Sequence, residues 1–318
     1  MYTLIYFHYH TQNALFALKK GCSTMQLAAI TDEISQDFEH SLDVLLEYDV
    51  RHAELRGLWG TNIADLSAEQ VARAQRALRE RGMSTVCLAT PFYKCDLAIN
   101  AANEGEKAGR MHLAQPRTFA EQMSILRRCA DLADAFNTSF IRVFTFWRKA
   151  VLTPEIEAQI VEAFQEPLEF AKERGLTLLL ENEHACYIGT GAEAARIAQA
   201  INHPNLKVVW DPGNALCADE LPFPDGYNAV KPYIAHIHIK DANWAESEEK
   251  GRHPKWCVVG EGEIDYVGHL TALRNDGYSG YLSLETHYVP ETGSGESGKG
   301  TPEDGSRPCL AALRKLLA

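Results

Sequence analysis

Short apolar runs alternate with amphipathic stretches from Met25 to the C-terminus of the chain. The apolar runs are typical of buried strands, and the stretches between them repeat hydrophobic residues at helical spacing. The pattern predicts strands at Gln26–Thr31, His52–Leu55, Ser84–Ala89, Ser139–Phe144, Thr177–Leu180, Lys207–Trp210, Ile234–Ile237 and Tyr281–Leu284. It predicts helices at Phe38–Tyr48, Ser67–Arg81, Arg117–Phe136, Pro154–Arg174, Ala192–Ile201, Tyr227–Lys231, Tyr266–Asn275 and Cys309–Leu317.

Strict alternation of strands and helices indicates a parallel sheet with right-handed crossovers. Eight such repeats within residues 25–318 fit a closed barrel better than an open doubly wound sheet. No GxGxxG segment follows the first strand, so the usual dinucleotide signal of the open alternative is missing from the sequence. The prediction is an α/β protein with one (β/α)8 TIM barrel domain at residues 25–318.

The first 24 residues lie outside the alternating pattern. They are rich in aromatic residues and histidine, and they lack the ordered charged, apolar and small-residue regions of a secretory signal. Met25 directly precedes the first strand, which favours a misplaced start codon or a loose arm over a packed N-terminal element. We expect deletion of residues 1–24 to leave the thermal midpoint of unfolding nearly unchanged. A large loss in a thermal melt would show that the segment packs on the barrel.

Composition narrows the class of function. The chain has 318 residues, 46% of them hydrophobic and 23% charged, which is ordinary for a globular protein with a full core. Its formal net charge of −12 argues against a nucleic-acid partner, and no apolar run reaches the ~20 residues that span a membrane. Eight scattered cysteines without a CxxC pair indicate reduced thiols, which favours a cytoplasmic location.

Three long connections follow the C-terminal ends of strands, where barrel enzymes build their active sites. They span residues 90–116, 241–265 and 286–308. The last of them contains a Gly/Ser-rich segment at residues 291–301, which we interpret as either a lid or a surface loop.

Four of the predicted strands lead into a metal-binding residue type. A carboxylate or imidazole at the end of a buried strand is poorly placed for core packing, but well placed for chemistry at the top of a parallel barrel. Three carboxylates and one imidazole form a hard, oxygen-rich set that suits Mn²⁺, Mg²⁺ or Co²⁺, whereas Zn²⁺ usually takes more nitrogen or sulfur ligands. The sequence therefore predicts one divalent cation, with Mn²⁺ as the first candidate. The four residues are Glu181, Asp211, His238 and Glu285.

The chain resembles the xylose isomerase-like sugar phosphate isomerase/epimerase superfamily from about Met25 to Ala318. Five segments carry the resemblance, and the DPGN and HxHxKD signatures are specific in combination. They are residues 180–184 (LENEH), 210–214 (WDPGN), 236–241 (HIHIKD), 260–265 (GEGEID) and 284–285 (LE). The resemblance implies a (β/α)8 barrel, a homodimer or tetramer, and a divalent metal held by Glu181, Asp211, His238 and Glu285.

The mechanism that the resemblance implies is proton abstraction beside the carbonyl of a sugar or polyol. The metal polarises the carbonyl and stabilises the enediolate, while Glu181 and Glu285 exchange protons with the two faces of the substrate. An isomerase or epimerase is the first interpretation. The alternatives are a lyase or dehydratase on a keto-sugar, an inosose or a 3-keto-glycoside, in which the same enediolate expels a leaving group, and a carbohydrate-binding barrel without turnover.

Two departures from the superfamily pattern narrow this interpretation. Its DNA-repair endonucleases carry a histidine at the position of Asn214, and the third strand here ends in Thr90-Pro91 without a histidine ligand. Together with the acidic charge, this argues against apurinic endonuclease activity. The histidine that contacts substrate in ketose 3-epimerases also corresponds to Asn214, so the same departure argues against ketose 3-epimerase specificity. Asn214 itself is a candidate for substrate binding.

Further polar and aromatic residues near the strand ends are candidates for substrate binding. Lys240 shares a face with His236 and His238 because strand side chains alternate, and it is expected at the mouth of the barrel. Glu54 and Arg56 also share a face, and form either an internal salt bridge or a pair whose arginine meets the substrate. The remaining candidates are Trp147 and Arg148, with an ordinary loop anchor as the alternative, and His184 and His287.

Overall fold

The protein is a closed barrel of eight parallel strands in the computed structural model, which describes residues 25–97, 113–249 and 251–318. In chain order the described strands are β1 Gln26–Ile30, β2 His52–Leu55, β3 Gly57–Leu58, β4 Thr61–Asn62, β5 Ser84–Ala89, β6 Phe140–Val143, β7 Thr177–Glu181, β8 Leu206–Trp210, β9 Ile234–Ile239, β10 Asp241–Ser247, β11 Gly251–Cys257 and β12 Tyr281–Leu284. Around the barrel the order is β1-β12-β9-β8-β7-β6-β5-β2. The predicted TIM barrel and its strand positions are confirmed.

Helices pack around the outside of the strands. They are α1 Phe38–Glu47, α2 Ala68–Glu80, α3 Gln122–Phe136, α4 Pro154–Ala163, α5 Gln165–Glu173, α6 Gly191–Ile201, α7 Pro212–Cys217, α8 Tyr227–Val230, α9 Tyr266–Asn275 and α10 Pro302–Leu317. A capping box begins α2: the Ser67 hydroxyl accepts a hydrogen bond from the backbone N–H of Gln70, and the Gln70 side-chain oxygen accepts one from the backbone N–H of Ser67. Among the described helices, none has the length and apolar character to cross a lipid bilayer.

Two predicted helix boundaries are wrong. The helix predicted at Pro154–Arg174 is two helices, α4 and α5, which meet at the fully buried Phe164. The last helix begins at Pro302, not at Cys309, because Thr301 and Asp304 cap its first turn reciprocally. Glycine and proline within that first part of α10 hid the helical pattern in the sequence.

The connection predicted at residues 241–265 contains an antiparallel hairpin of β10 and β11. Asp241 pairs with Cys257 and Ser247 with Gly251, so the hairpin stands at the mouth of the barrel. A smaller hairpin, β3 with β4, follows β2. Predictions for residues 1–24, and for the part of the connection at 98–112, lie outside the described residues.

The core has two parts. Most apolar side chains lie between the strands and the surrounding helices. A separate small cluster fills the barrel interior below the polar end, and consists of Ala28, Val86, Cys87, Leu179 and Val209. Small and branched residues fit there because side chains from alternate strands meet in layers at the barrel axis.

His269 on α9 is a buried histidine whose titration is expected to affect stability. Its ring lies between aromatic side chains, with its centroid 5.0 Å from that of Tyr227 and 5.7 Å from that of Phe223. Burial lowers its pKa to about 4, although Asp265 acts in the opposite direction. The unfolded chain therefore takes up this proton near pH 6.5 and the folded chain only near pH 4, so stability falls as the pH drops through that window.

The expected contribution of His269 to this loss is about 3 kcal/mol between pH 7 and pH 4. Urea denaturation across that range should give wild-type unfolding free energies that fall more steeply than those of His269→Phe, which has no proton to bind. Parallel pH dependences of the two proteins would contradict a buried neutral His269.

Candidate metal and substrate site

Four side chains meet at the C-terminal end of the barrel from four different strands. Glu181 is the last residue of β7, Asp211 follows β8, His238 lies within β9 and Glu285 follows β12. All four are buried, and one ligand atom from each lies within 4.8 Å of the others. The structure thus brings together the four residues predicted as metal ligands. Because strand ends of a parallel barrel share one rim, residues far apart in sequence become neighbours.

Asp211 is oriented by the start of helix α7. Its Oδ1 accepts a hydrogen bond from the backbone N–H of Asn214 at 2.9 Å, as a helix N-cap does. Asn182 holds the backbone of Asp211 through two hydrogen bonds of 2.8 Å. Its other oxygen, Oδ2, is buried and faces the cluster, where Nζ of Lys240 lies 2.8 Å away.

The two ring nitrogens of His238 face different groups. Nδ1 lies 3.2 Å from Oε1 of Glu181, 3.6 Å from Oε2 of Glu285 and 3.9 Å from Oδ2 of Asp211. Nε2 lies 3.1 Å from Oε1 of Glu54, whose other oxygen is 2.8 Å from Nε2 of His236. The buried His236 is therefore linked to the site through Glu54.

Buried arginines hold two of the clustered carboxylates. Nη1 of Arg142, on β6, lies 3.2 Å from Oε2 of Glu181. Nη1 of Arg56 donates to Oε1 of Glu285 at 2.8 Å, and the same guanidinium pairs with Asp32 and Glu33. The Glu54–Arg56 salt bridge that the sequence left open is thus not formed, because Glu54 points to the histidines of β9.

Lys240 lies within the cluster. It is 2% exposed, and its Nζ is 2.8 Å from both Oδ2 of Asp211 and Oε2 of Glu285. Gly213 makes room for its stem, because a Cβ there would come within 2.5 Å of Cγ of Lys240. The amine lies at the rim end of β9, as predicted from alternation, but it is buried among the carboxylates of the cluster.

Carboxylates outnumber permanent cations at this end of the barrel. The carboxylates, with side chains at most 11% exposed, are Asp32, Glu33, Glu54, Glu181, Glu183, Asp211 and Glu285. The Lys and Arg side chains paired with them are Arg56, Lys94, Arg142 and Lys240. Buried charge of one sign is costly unless it is compensated. A divalent cation with oxygen ligands fits this excess of negative charge.

The surrounding charges shift the pKa values of the cluster in different directions. Burial opposes ionisation of Glu285 and Glu181, but the cations beside them outweigh it and lower both pKa values. Lys240 dominates this effect at Glu285, and Arg142 at Glu181. Burial raises the pKa of Asp211 to about 6, with Glu285 and Glu181 acting in the same direction and Lys240 against it. Both glutamates are therefore ionised near neutral pH.

A second polar group lies beside the cluster. Glu183 accepts a hydrogen bond from Lys94 at 3.1 Å and lies 3.1 Å from Nδ1 of His184. The side chain of His184 is 44% exposed, and its Nδ1 is 3.3 Å from Oδ1 of Asn214. Asn214 in turn donates to Oε1 of Glu181 at 3.2 Å. A solvent-accessible imidazole is thus connected to the metal-ligand candidates.

Trp147 and Arg148, the two substrate-binding candidates after β6, lie in different environments. Lys94 lies 5.4 Å from the ring centroid of Trp147, whose Nε1 is buried without a hydrogen-bond partner among the described residues. Arg148 instead donates to the carbonyls of Cys186 and Tyr187 and pairs with Glu193. These contacts favour the loop-anchor interpretation of Arg148.

His287 lies near Glu33 and Glu285 of the polar cluster. Its Nδ1 is 3.2 Å from Oε1 of Glu33, and its Nε2 is 3.8 Å from Oε1 of Glu285. The ring of Trp256, on strand β11, lies with its centroid 5.1 Å from that of His287. The hairpin therefore contributes an aromatic wall beside the cluster.

Comparison with known proteins agrees with this architecture. Residues 42–316 match the family described as xylose isomerase-like TIM barrel. The chain belongs to this family. An inosose dehydratase of Clostridium perfringens is 22% identical over 257 residues, which cover 77% of this chain and 83% of that protein. This family membership confirms the predicted resemblance.

Solved structures share the fold at low sequence identity. A probable 3-DHS dehydratase of Bacillus anthracis has a TM-score of 0.66 at 18% identity, covering 91% of this chain and 99% of that one. A D-allulose 3-epimerase of Methylomonas sp. has a TM-score of 0.65 at 15% identity, covering 92% and 98%. The prediction of an enzyme of the isomerase, epimerase or lyase type is confirmed at that level.

Sequence reasoning missed several polar residues of this family member's site. Arg142 lies in a strand that reads as apolar, and Asp32 and Glu33 lie in a short helical turn after β1. Lys94 lies in a long connection, where the spacing of residues does not predict the direction of a side chain. One signal was available: Glu54 and Arg142 are charged residues inside predicted strands, and a charge is buried in a barrel strand only when it is paired.

Proposed function

We propose that this protein is a divalent-metal-dependent enzyme that removes a proton beside the carbonyl of a sugar or polyol. One observation carries the proposal: three buried carboxylates and one imidazole from four strand ends converge at the rim of the barrel. Such a set is expensive to bury for structural reasons alone, and perturbed, clustered ionisable groups in a barrel rim indicate a functional site.

Glu181, Asp211, His238 and Glu285 would hold the metal. The excess of buried carboxylates, and the approach of one ligand atom from each of the four residues to within 4.8 Å of the others, support a cation here. The oxygen-rich donor set favours Mn²⁺, with Mg²⁺, Co²⁺ and Zn²⁺ as further candidates. When bound, the metal polarises a substrate carbonyl and offsets the negative charge that develops on it.

Glu181 and Glu285 are the proposed proton-transfer groups. Each is ionised near neutral pH and each keeps an oxygen at the cluster, so each can accept a proton from the substrate. Arg142 fixes Glu181 and Arg56 fixes Glu285 from outside the cluster, which restricts the carboxylates to one orientation. Lys240 supplies a positive charge between the carboxylates for a substrate oxygen.

Isomerisation or epimerisation is the first proposed outcome. Moving a proton between neighbouring carbons, or between two faces of one carbon, requires two positioned acid–base groups. Glu181 and Glu285 provide such a pair from opposite strands of the rim, since β7 and β12 are separated by β8 and β9. His184, Asn214, Trp147 and His287 are the proposed substrate contacts around them.

Dehydration is the second candidate, and two observations favour it. The inosose dehydratase of Clostridium perfringens matches most of this chain. In addition, elimination of a hydroxyl group needs an acid for the leaving oxygen, and the hydrogen bond to Glu183 raises the pKa of His184. A protonated, half-exposed imidazole beside Asn214 is suited to that step.

The proposal is tested by solvent deuterium exchange, followed by NMR, with Mn²⁺-loaded protein and a panel of ketoses, inososes and 3-keto-glycosides. We expect exchange at one carbon of the substrate and loss of exchange with excess chelator. A product of the same composition identifies an isomerase or epimerase, and loss of water identifies a dehydratase. Tight metal binding with sugar binding but no exchange on any compound would contradict the enzyme and favour a carbohydrate-binding barrel.

A further inference from the structure

We infer that Glu54 is a positioning residue that fixes His238 for metal binding from the opposite side of the barrel. The inference rests on the proposed metal site and assigns a role to a carboxylate outside the set of four ligands. Glu54 is fully buried on β2, three strands away from β9 around the barrel. Its side chain therefore reaches His238 through the barrel interior.

Both oxygens of Glu54 are used by histidines of one strand. Oε1 lies 3.1 Å from Nε2 of His238, and Oε2 lies 2.8 Å from Nε2 of His236. The two imidazole rings stand nearly perpendicular, at 83°, so a single carboxylate can meet both without bending away from either. These are hydrogen-bond distances, and they leave Glu54 no oxygen that points to the cluster.

The contact determines which nitrogen of His238 faces the metal site. An ionised carboxylate can only accept hydrogen bonds, so Nε2 of His238 must carry the proton that it donates to Glu54. Nδ1 is the atom that lies 3.2–3.9 Å from the oxygens of Glu181, Glu285 and Asp211. Its lone pair becomes the metal ligand, and the ring cannot turn without losing Glu54. Carboxylates that hold a ligating histidine in this way raise metal affinity.

The test compares Mn²⁺ affinities, measured by isothermal titration calorimetry, of wild type and three variants. Glu54→Met removes the charge and both acceptors, while Glu54→Gln removes the same charge but keeps one amide oxygen as an acceptor. His236→Gln keeps an N–H donor for Glu54 and leaves the contact with His238 untouched. It controls for a general disturbance of the barrel interior.

We expect Glu54→Met to weaken Mn²⁺ binding by about 10- to 100-fold, Glu54→Gln to recover part of the loss, and His236→Gln to bind as wild type does. Thermal melts of the metal-free proteins separate stability from affinity. Equal Mn²⁺ affinity of wild type and Glu54→Met would overturn the inference, as would equal weakening by His236→Gln. Wild type that binds no metal would instead overturn the metal site and the proposed function.

A measurement on the wild type keeps the inference testable if Glu54→Met does not fold. Protein labelled with ¹⁵N-histidine is titrated with Zn²⁺, a diamagnetic probe, and the ring nitrogens are followed by NMR, with His236→Gln to assign the signals. We expect Nδ1 of His238 to shift on metal binding while Nε2 keeps its proton. Metal-induced loss of the Nε2 proton would overturn the inference.

Discussion

Glu285→Gln is expected to lower turnover by at least about 10³-fold at saturating Mn²⁺ while the barrel remains folded. A glutamine amide oxygen can still ligate a cation, but it cannot accept a proton from a substrate carbon. The fold should hold because both cations that contact Glu285 keep other partners: Arg56 retains Asp32 and Glu33, and Lys240 retains Asp211. The rate of deuterium exchange measures turnover, and circular dichroism with thermal melts reports the fold.

The matched control for this experiment is Glu291→Gln. This substitution makes the same chemical change at an exposed position. The side chain of Glu291 is 92% exposed, and its Oε1 lies 4.0 Å from Nζ of Lys255. Its exchange rate should equal that of wild type. Unchanged exchange in Glu285→Gln would remove Glu285 from the proposed proton transfer. Bound Mn²⁺ is measured in the same samples, because loss of the metal would by itself account for lost turnover.

Arg56→Met is expected to destabilise the metal-free protein by about 3–5 kcal/mol. Methionine matches much of the volume of the arginine stem, but it leaves the carboxylates of Asp32, Glu33 and Glu285 buried without their shared partner. The unfolding free energy is measured by urea denaturation in excess chelator at neutral pH, where these carboxylates are ionised in the unfolded chain.

Arg81→Met provides the surface comparison for Arg56. Arg81 also pairs with a carboxylate through two nitrogens, at 2.7 and 2.9 Å from Asp43, but the side chain of Asp43 is 57% exposed. Exposed pairs contribute at most about 1 kcal/mol, so this variant should stay close to wild type. A similar loss of unfolding free energy in both variants would contradict the larger contribution that we expect from the buried Arg56.

Low sequence identity to relatives did not prevent prediction of the fold or of the four converging residues. Each of the four stands at the end of an apolar run, and strand ends of a parallel barrel share one rim whatever their separation along the chain. The apolar runs and the shared rim together allowed the four residues to be predicted as one site. They are Glu181, Asp211, His238 and Glu285. Helix caps were predictable for a similar reason, because Ser67 and Gln70 interact within one turn.

The contacts that those four residues make with their partners were not predictable. Arg142 lies on β6, Glu54 on β2 and Arg56 directly after β2, and the directions of their side chains depend on how the barrel closes. Lys240 shows the difference at one residue: alternation along β9 predicted its face correctly, but only the tertiary packing places its amine between Asp211 and Glu285.

Local periodicity along the chain specifies the alternation of strands and helices, the barrel and the residue types at its rim. Closure of the barrel specifies which charges compensate one another and which nitrogen of His238 faces the cluster. Those properties depend on distances of about 3 Å between atoms from different strands. Such distances are set by barrel closure and by the balance of buried charge, neither of which is encoded in any single segment.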